Sequence, residues 1–164
     1  MLRYFIKTSV NSGRVTTIRR INRRYPYIHP GYRRDKVSNI AISIDQSGSV
    51  SDEMLQVFFS FLNKLSTIAT FTVIPFHHGV VEDKVYVWKK GEKRPWKRVG
   101  RGGTDFDAPT RYVNKRCFDG HIIITDMLAP KPIRSKCQRI WITNSANYKR
   151  RYFETNERVI KIDS

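Results

Sequence analysis

The chain has 164 residues, with 31 Lys or Arg against 14 Asp or Glu and a formal net charge of +17. That length suits one domain with a single buried core. No apolar run approaches the roughly 20 residues of a membrane span, Met1 to Val10 lacks a secretory cleavage pattern, and two cysteines without metal-knuckle spacing read as free thiols, so composition argues against a membrane protein, a chain secreted by its own signal and a disulfide scaffold.

Charge is concentrated on the flanks. Residues 1–36 hold ten Lys or Arg against Asp35 alone, and residues 131–164 hold nine against three acids. Tyr4, Tyr25, Tyr27 and Tyr32 are interleaved with the first group, and Tyr148 and Tyr152 with the second. Cations with aromatics between them offer phosphate contacts and stacking platforms, which makes Arg19, Arg20, Arg23, Arg24, Arg33 and Arg34 candidate contacts to nucleic acid or another anion. A solvated basic surface, or an arm docking on an acidic neighbour, is the alternative reading. Residues 1–37 are read as a basic N-terminal extension and 38–164 as the domain proper.

From there strands and helices alternate. Asn39–Ile44 is continuous and β-branched, as expected of a strand buried on both faces. Ser51–Leu65 places Met54, Val57, Phe58, Phe61, Leu62 and Leu65 at helical spacing, an amphipathic helix that covers a sheet. Thr70–Phe76 is a second apolar strand, and Lys84–Lys89 alternates as a shorter, half-exposed edge strand after a turn around Gly79. His77 and His78, adjacent at the end of that second strand, read as a strand end or turn rather than a metal pair. Lys97, Arg98 and Arg101 precede the next loop, as solvated residues or as the rim of a site. Thr104–Lys115 reads as a second helix with Pro109 near its first turns. His121–Thr125, Arg139–Thr143 and Arg158–Ile162 are further strands, and Pro130 and Pro132 argue against a crossover helix between the first two. Trp88, Trp96 and Trp141 read as packing residues. The pattern predicts an α/β fold: a Rossmann-like, mostly parallel sheet flanked by helices.

Three segments end in oxygen donors. The strand ending at Ile44 runs into Asp45-Gln46-Ser47-Gly48-Ser49; Gly100-Arg101-Gly102-Gly103 leads into Thr104-Asp105; and the run His121–Thr125 ends in Asp126. In an open parallel sheet, ligand sites gather outside the carboxyl ends of the strands, so these segments are placed to converge. Hard oxygens, few of them carboxylates, suit Mg2+, which keeps several waters in an octahedral shell. Taken alone, Asp-x-Ser-x-Ser also reads as helix capping, with Ser49 or Ser51 as the cap.

The order Asp45, Ser47, Ser49, then Thr104, then Asp126 resembles the metal-ion-dependent adhesion site of von Willebrand factor A-like (VWA) domains. More narrowly, Arg20 to Gly31, Gly102-Gly103-Thr104-Asp105-Phe106 and Thr125-Asp126 resemble the VWA-like C-terminal region of bacterial and phage proteins classed as metallopeptidases. No His-Glu-x-x-His is present, so protease chemistry is not carried over. Met127 stands where many relatives have Gly after the Asp, a departure that bears on the shape of that loop.

The resemblance implies that Ser47, Ser49 and Thr104 touch Mg2+ (or Mn2+) directly. Asp45 and Asp126 would bind through waters, with Asp105 helping to orient one. A carboxylate-poor ion keeps much of its charge and takes an anionic ligand from a partner. The expected function is therefore metal-bridged binding of an acidic protein, as a phage or bacterial assembly or virion component, without catalysis. A nucleic-acid-associated protein using its basic flanks is the alternative, with the metal site structural. A metal-dependent hydrolase ranks last, because one such centre is unlike two-metal phosphoryl-transfer sites. The expected location is cytoplasmic or virion-associated.

Overall fold

A computed structural model describes residues 13–21, 30–35 and 39–162. Gly13–Ile21 (β1) and Pro30–Asp35 (β2) form an antiparallel hairpin whose register shifts between Thr17 and Ile21. The remaining elements, in chain order, are β3 (Ile40–Asp45), α1 (Asp52–Ser66), β4 (Phe71–Phe76), a 3-10 turn (Glu82–Lys84), β5 (Tyr86–Trp88), α2 (Asp107–Lys115), β6 (Gly120–Ile124), β7 (Gln138–Thr143), α3 (Ser145–Arg150) and β8 (Arg158–Lys161).

Among the described residues, six strands form the main sheet in the order β5-β4-β3-β6-β7-β8. Every pairing is parallel except that of the edge strand β5, which runs antiparallel to β4. The chain moves from β3 to β4 on one side and later returns to lay β6 on the other side of β3, so strand order reverses between β3 and β6. Open α/β sheets leave a crevice at such a switch point, outside the carboxyl ends of the strands.

Period-two alternation sorts the sheet's faces. Ile40, Ile42, Ile44, Ile122, Ile124, Ile140 and Ile142 join Leu55, Phe58, Phe59 and Leu62 of α1 in the larger core. The alternate positions point the other way, where Phe106, Ile123, Met127 and Trp141 form one cluster and Ala41, Ile74 and Val113 of α2 another. Ser51 caps α1 by accepting a hydrogen bond from Met54 N at 3.3 Å.

The α/β architecture agrees with the sequence expectation, and the differences are local. The second helix begins at Asp107 rather than Thr104, because Asp105 N donates to His77 O and Asp105 Oδ1 accepts from Asp107 N, which holds the preceding residues as a loop. The edge strand shortens to Tyr86–Trp88, since Glu82–Lys84 takes up a 3-10 turn. The link from β6 to β7 contains no helix, as Pro130 and Pro132 imply. The short helix α3, capped by Asn144 Oδ1 accepting from Asn147 N, was not expected. Trp88 and Trp141 are fully buried, whereas Trp96 is exposed.

Candidate metal centre

β3 and β6 bring two carboxylates to the switch point. Ile44 pairs with Ile124, so Asp45 and Thr125 leave the sheet side by side. Thr125 Oγ1 donates to Asp45 Oδ2 at 2.6 Å, and Ser47 N donates to Asp45 Oδ1 at 2.8 Å. Leu128 N donates to Asp126 Oδ1 at 3.0 Å. Asp126 Oδ2 is buried and has no hydrogen-bond partner among the described residues. A carboxylate oxygen left this way in a low-dielectric site is costly unless something positive or a proton meets it.

The Asp-x-Ser-x-Ser loop turns its hydroxyls together: Ser47 Oγ lies 3.0 Å from Ser49 Oγ. Because Ser51 caps α1, the capping reading does not account for Ser49. Gly48 N donates to Gly102 O at 3.0 Å, which ties this loop to the segment leading into Thr104. Thr104 itself is half-buried, and Asp105 is exposed with its Oδ1 engaged by Asp107 N. A Cβ on Gly102 would come within 3.3 Å of the His78 ring, so the loop passes too close to the His77-His78 turn for a larger residue to fit easily. The two histidines have their Nδ1 atoms 2.7 Å apart in that turn.

Burial pushes the Asp45 carboxyl up to about 6, the hydrogen bonds from Thr125 and Ser47 pull the other way, and the Asp126 charge adds a smaller upward push. Asp45 is thus held in a pocket that resists its charge. Among the described residues, no group of three or more His, Cys, Asp or Glu side chains is arranged to hold an ion. The oxygens at this end of the sheet are the carboxylates of Asp45 and Asp126 and the paired hydroxyls of Ser47 and Ser49, donor types that would suit Mg2+ rather than zinc or copper, and among the described residues no hydrogen bond joins Thr104 to them.

Two contributors escaped the sequence reading, and a third was read only as a solvated or rim residue. Thr125 fixes Asp45, and its only signal is parity, since strands in register put it beside Asp45. Gln46 is buried, with its Oε1 accepting from Val99 N at 3.1 Å. Arg98, expected as a solvated or rim residue, clasps the whole loop: it pairs with Asp52 Oδ1 at 2.7 Å and donates to Val50 O at 2.6 Å, Ser47 O at 3.3 Å and Gln46 O at 3.4 Å. Nothing local in the sequence marks a partner about fifty residues away. Of the six candidate anion-contacting arginines, Arg19 and Arg20 lie on β1 and Arg33 and Arg34 on β2, so one hairpin carries four of them. Arg23 and Arg24 lie outside the described residues. Among the described residues, no helix is long and apolar enough to cross a membrane.

The chain is 32% identical over 136 residues to an uncharacterized protein of Thermotoga maritima, an alignment that covers 81% of this chain and 34% of that protein. It therefore spans about a third of that relative's length. The crystal structure of the ArnB paralog VWA2 from Sulfolobus acidocaldarius shares the fold, with a TM-score of 0.50 at 14% identity over 65% of this chain and 34% of that one. The family model described as VWA-like domain (DUF2201) matches residues 40–162, which is most of the chain and the whole of the main sheet, and the chain belongs to that family.

Proposed function

We propose that this VWA-like domain is a Mg2+-dependent protein-interaction module that takes an acidic side chain of a partner as a ligand to the ion. The observation that carries the reading is the orphaned, buried Asp126 Oδ2, adjacent in the chain to the Thr125 that holds Asp45, while Asp45 in turn accepts from Ser47 N of a loop whose Ser47 and Ser49 hydroxyls face each other. Ser47, Ser49 and Thr104 would ligate directly, while Asp45 and Asp126 would orient bound waters. A bound Mg2+ supplies a positive centre that few carboxylates neutralise, and so favours an anionic ligand from outside. The chain's own residues then have positioning work. Thr125 and Ser47 N fix both oxygens of Asp45, and Arg98 ties down the loop through the carbonyls of Gln46, Ser47 and Val50.

The test is calorimetry with Mg2+ in phosphate-free buffer on the wild type beside Asp45→Ala and Thr104→Ala. Saturable binding in the wild type and its loss in both variants is the expected result. Binding is also expected to weaken as pH falls below about 6, because the ion must then displace the proton held by Asp45. Unaltered Mg2+ binding in Asp45→Ala, or no binding with or without an acidic peptide as added ligand, would sink the reading.

A further inference from the structure

A cavity of about 510 Å3 lies behind the metal loop, on the α1 face of the sheet. Its floor is apolar, formed by the nearly fully buried Ile44 of β3, Phe59 of α1, and Val73 and Pro75 of β4, and its accessible apolar lining is Tyr86, Pro95 and Val99. Its roof is the segment from Arg94 to Val99, which is pinned at both ends. At one end Asn63 of α1 makes a two-way clasp with the Arg94 backbone, accepting from Arg94 N at 3.0 Å and donating to Arg94 O at 2.9 Å. At the other, Arg98 and Val99 N are bound to the metal loop through Asp52, Val50 O and Gln46 Oε1. Only Pro95, Trp96 and Lys97 span the gap, and all three are exposed. The segment is therefore a short strap over a preformed hollow.

The charge around the hollow is uneven. Lys84, Arg94, Lys97 and Arg98 line it against Glu92 alone. Glu92 is bound to Arg94 at 2.7 Å, Arg98 to Asp52 and Lys84 to Asp83 at 3.5 Å, and no ion pair of Lys97 occurs among the described residues. Apolar walls of this volume with a few convergent polar groups are the usual make-up of a small-molecule site, and a cationic mouth selects an anion. We propose that the hollow beneath the 94–99 strap is a binding site for a small amphipathic carboxylate, with its hydrocarbon against Tyr86, Pro95 and Val99 and its carboxylate at Lys97.

The strap gives the site a second consequence, which rests on the metal reading above. Arg98 and Gln46 form the wall shared by the hollow and the metal loop, and the same segment continues through Gly100–Gly103 into Thr104. An occupant that moves the strap acts on Ser47 through Arg98 and on Thr104 through the glycines, so occupancy and Mg2+ affinity are linked, and by reciprocity each changes the other by the same factor.

The experiment titrates decanoate below its micelle concentration into the full chain, first in EDTA and then with Mg2+, following tryptophan fluorescence and calorimetric heat, with decanol and decylammonium beside it. Decanoate is expected to bind saturably in EDTA, at least about tenfold tighter than decylammonium. Val99→Trp, which fills the hollow, and Lys97→Glu, which reverses the charge, are each expected to weaken it by about tenfold or more while circular dichroism stays that of the wild type. The proposal is overturned by no binding, by binding that Val99→Trp leaves intact, or by decanol and decylammonium binding as well as decanoate. A decanoate affinity that holds in EDTA but is indifferent to Mg2+ overturns the linkage alone. The EDTA arm does not depend on the metal site, so failure of the metal reading and failure of this one are told apart.

Discussion

The two faces of the central sheet are built from alternate residues of the same strands, yet they have different chemistry. One face reads Ile40, Ile42, Ile44 on β3, Ile122, Ile124 on β6 and Ile140, Ile142 on β7, all buried against α1. The other reads Ala41, Ser43, Asp45, then His121, Ile123, Thr125, then Arg139, Trp141, Thr143, equally buried and largely polar. Here Ser43 Oγ meets His121 Nε2 at 2.8 Å, and Arg139 makes a two-point pair with Glu157 while donating to Thr110 Oγ1. Burial by itself does not distinguish the faces. The isoleucine face supplies stability by removing apolar area from water, and the polar face spends some of that stability to hold groups that end, at Asp45 and Thr125, in the candidate metal site.

The strongest way to break this contrast is to exchange one residue on each face. Ile42→Ala is expected to cost about 3–5 kcal/mol, the lost transfer free energy plus a cavity that α1 and the sheet cannot close. Asp45→Asn is expected to remove Mg2+ binding while the metal-free protein becomes more stable at neutral pH, by on the order of 1 kcal/mol. Folding raises the Asp45 carboxyl to about 6, so its contribution to stability is full below its unfolded value of 3.8 and is lost as pH rises through 6. Urea denaturation of the two variants in EDTA at neutral pH measures both. A large loss of stability in Asp45→Asn would mean that the carboxylate is a structural group.

The apolar face was legible in the sequence because β-branched runs and the 3.6-residue spacing of α1 are local signals. The ends of β3 and β6 were legible as a candidate site for a similar reason: Asp45, Ser47, Ser49 and Asp126 each sit where an apolar run stops. What the sequence left hidden depends on pairing across the fold. Register alone places Thr125 against Asp45 and Ser43 near His121, and tertiary structure alone takes Arg98 from an apparently solvated loop to the carbonyls of Gln46, Ser47 and Val50. The start of α2 was misplaced because Thr104-Asp105 is compatible with a helical first turn until the His77 carbonyl claims the Asp105 N–H.

The polar face also predicts an acid response that the isoleucine face cannot give. Burial, with the Arg139 charge beside it, pushes His121 down to about 3 from 6.5. The unfolded chain therefore binds a proton that the folded one refuses. Stability held above pH 6.5 falls as pH drops toward 3, by up to ~1.4 kcal/mol per pH unit. Replacing both partners, as Ser43→Ala with His121→Leu, leaves no orphaned donor or acceptor between them and is expected to be within about 1–2 kcal/mol of wild type at pH 7.5. Below pH 6 the variant should become the more stable, with the gap widening steadily to pH 4. Denaturation curves at several pH values read the difference, in which groups common to both proteins cancel. Parallel curves across the whole range would mean that His121 is protonated within the fold.

The smallest expected effect lies where the two kinds of surface meet. Met127, which follows Asp126, has φ of 61°, the left-handed region that a side chain adopts at a cost of about 1–2 kcal/mol. Its N–H nevertheless donates to Thr125 Oγ1 at 3.1 Å, and its side chain is fully buried with Phe76, Phe106, Ile123 and Trp141. The loop keeps a glycine-like backbone and gains a packed thioether. Met127→Gly relieves the strain but removes that packing and lengthens the list of conformations open to the unfolded chain. These contributions oppose one another, and the expected net is a loss of about 1–2 kcal/mol with Mg2+ affinity unchanged within about twofold, since the backbone that positions Asp126 is kept. A gain in stability would mean that strain outweighs packing here. A loss of Mg2+ affinity would mean that the methionine side chain, rather than the turn alone, sets where Asp126 points.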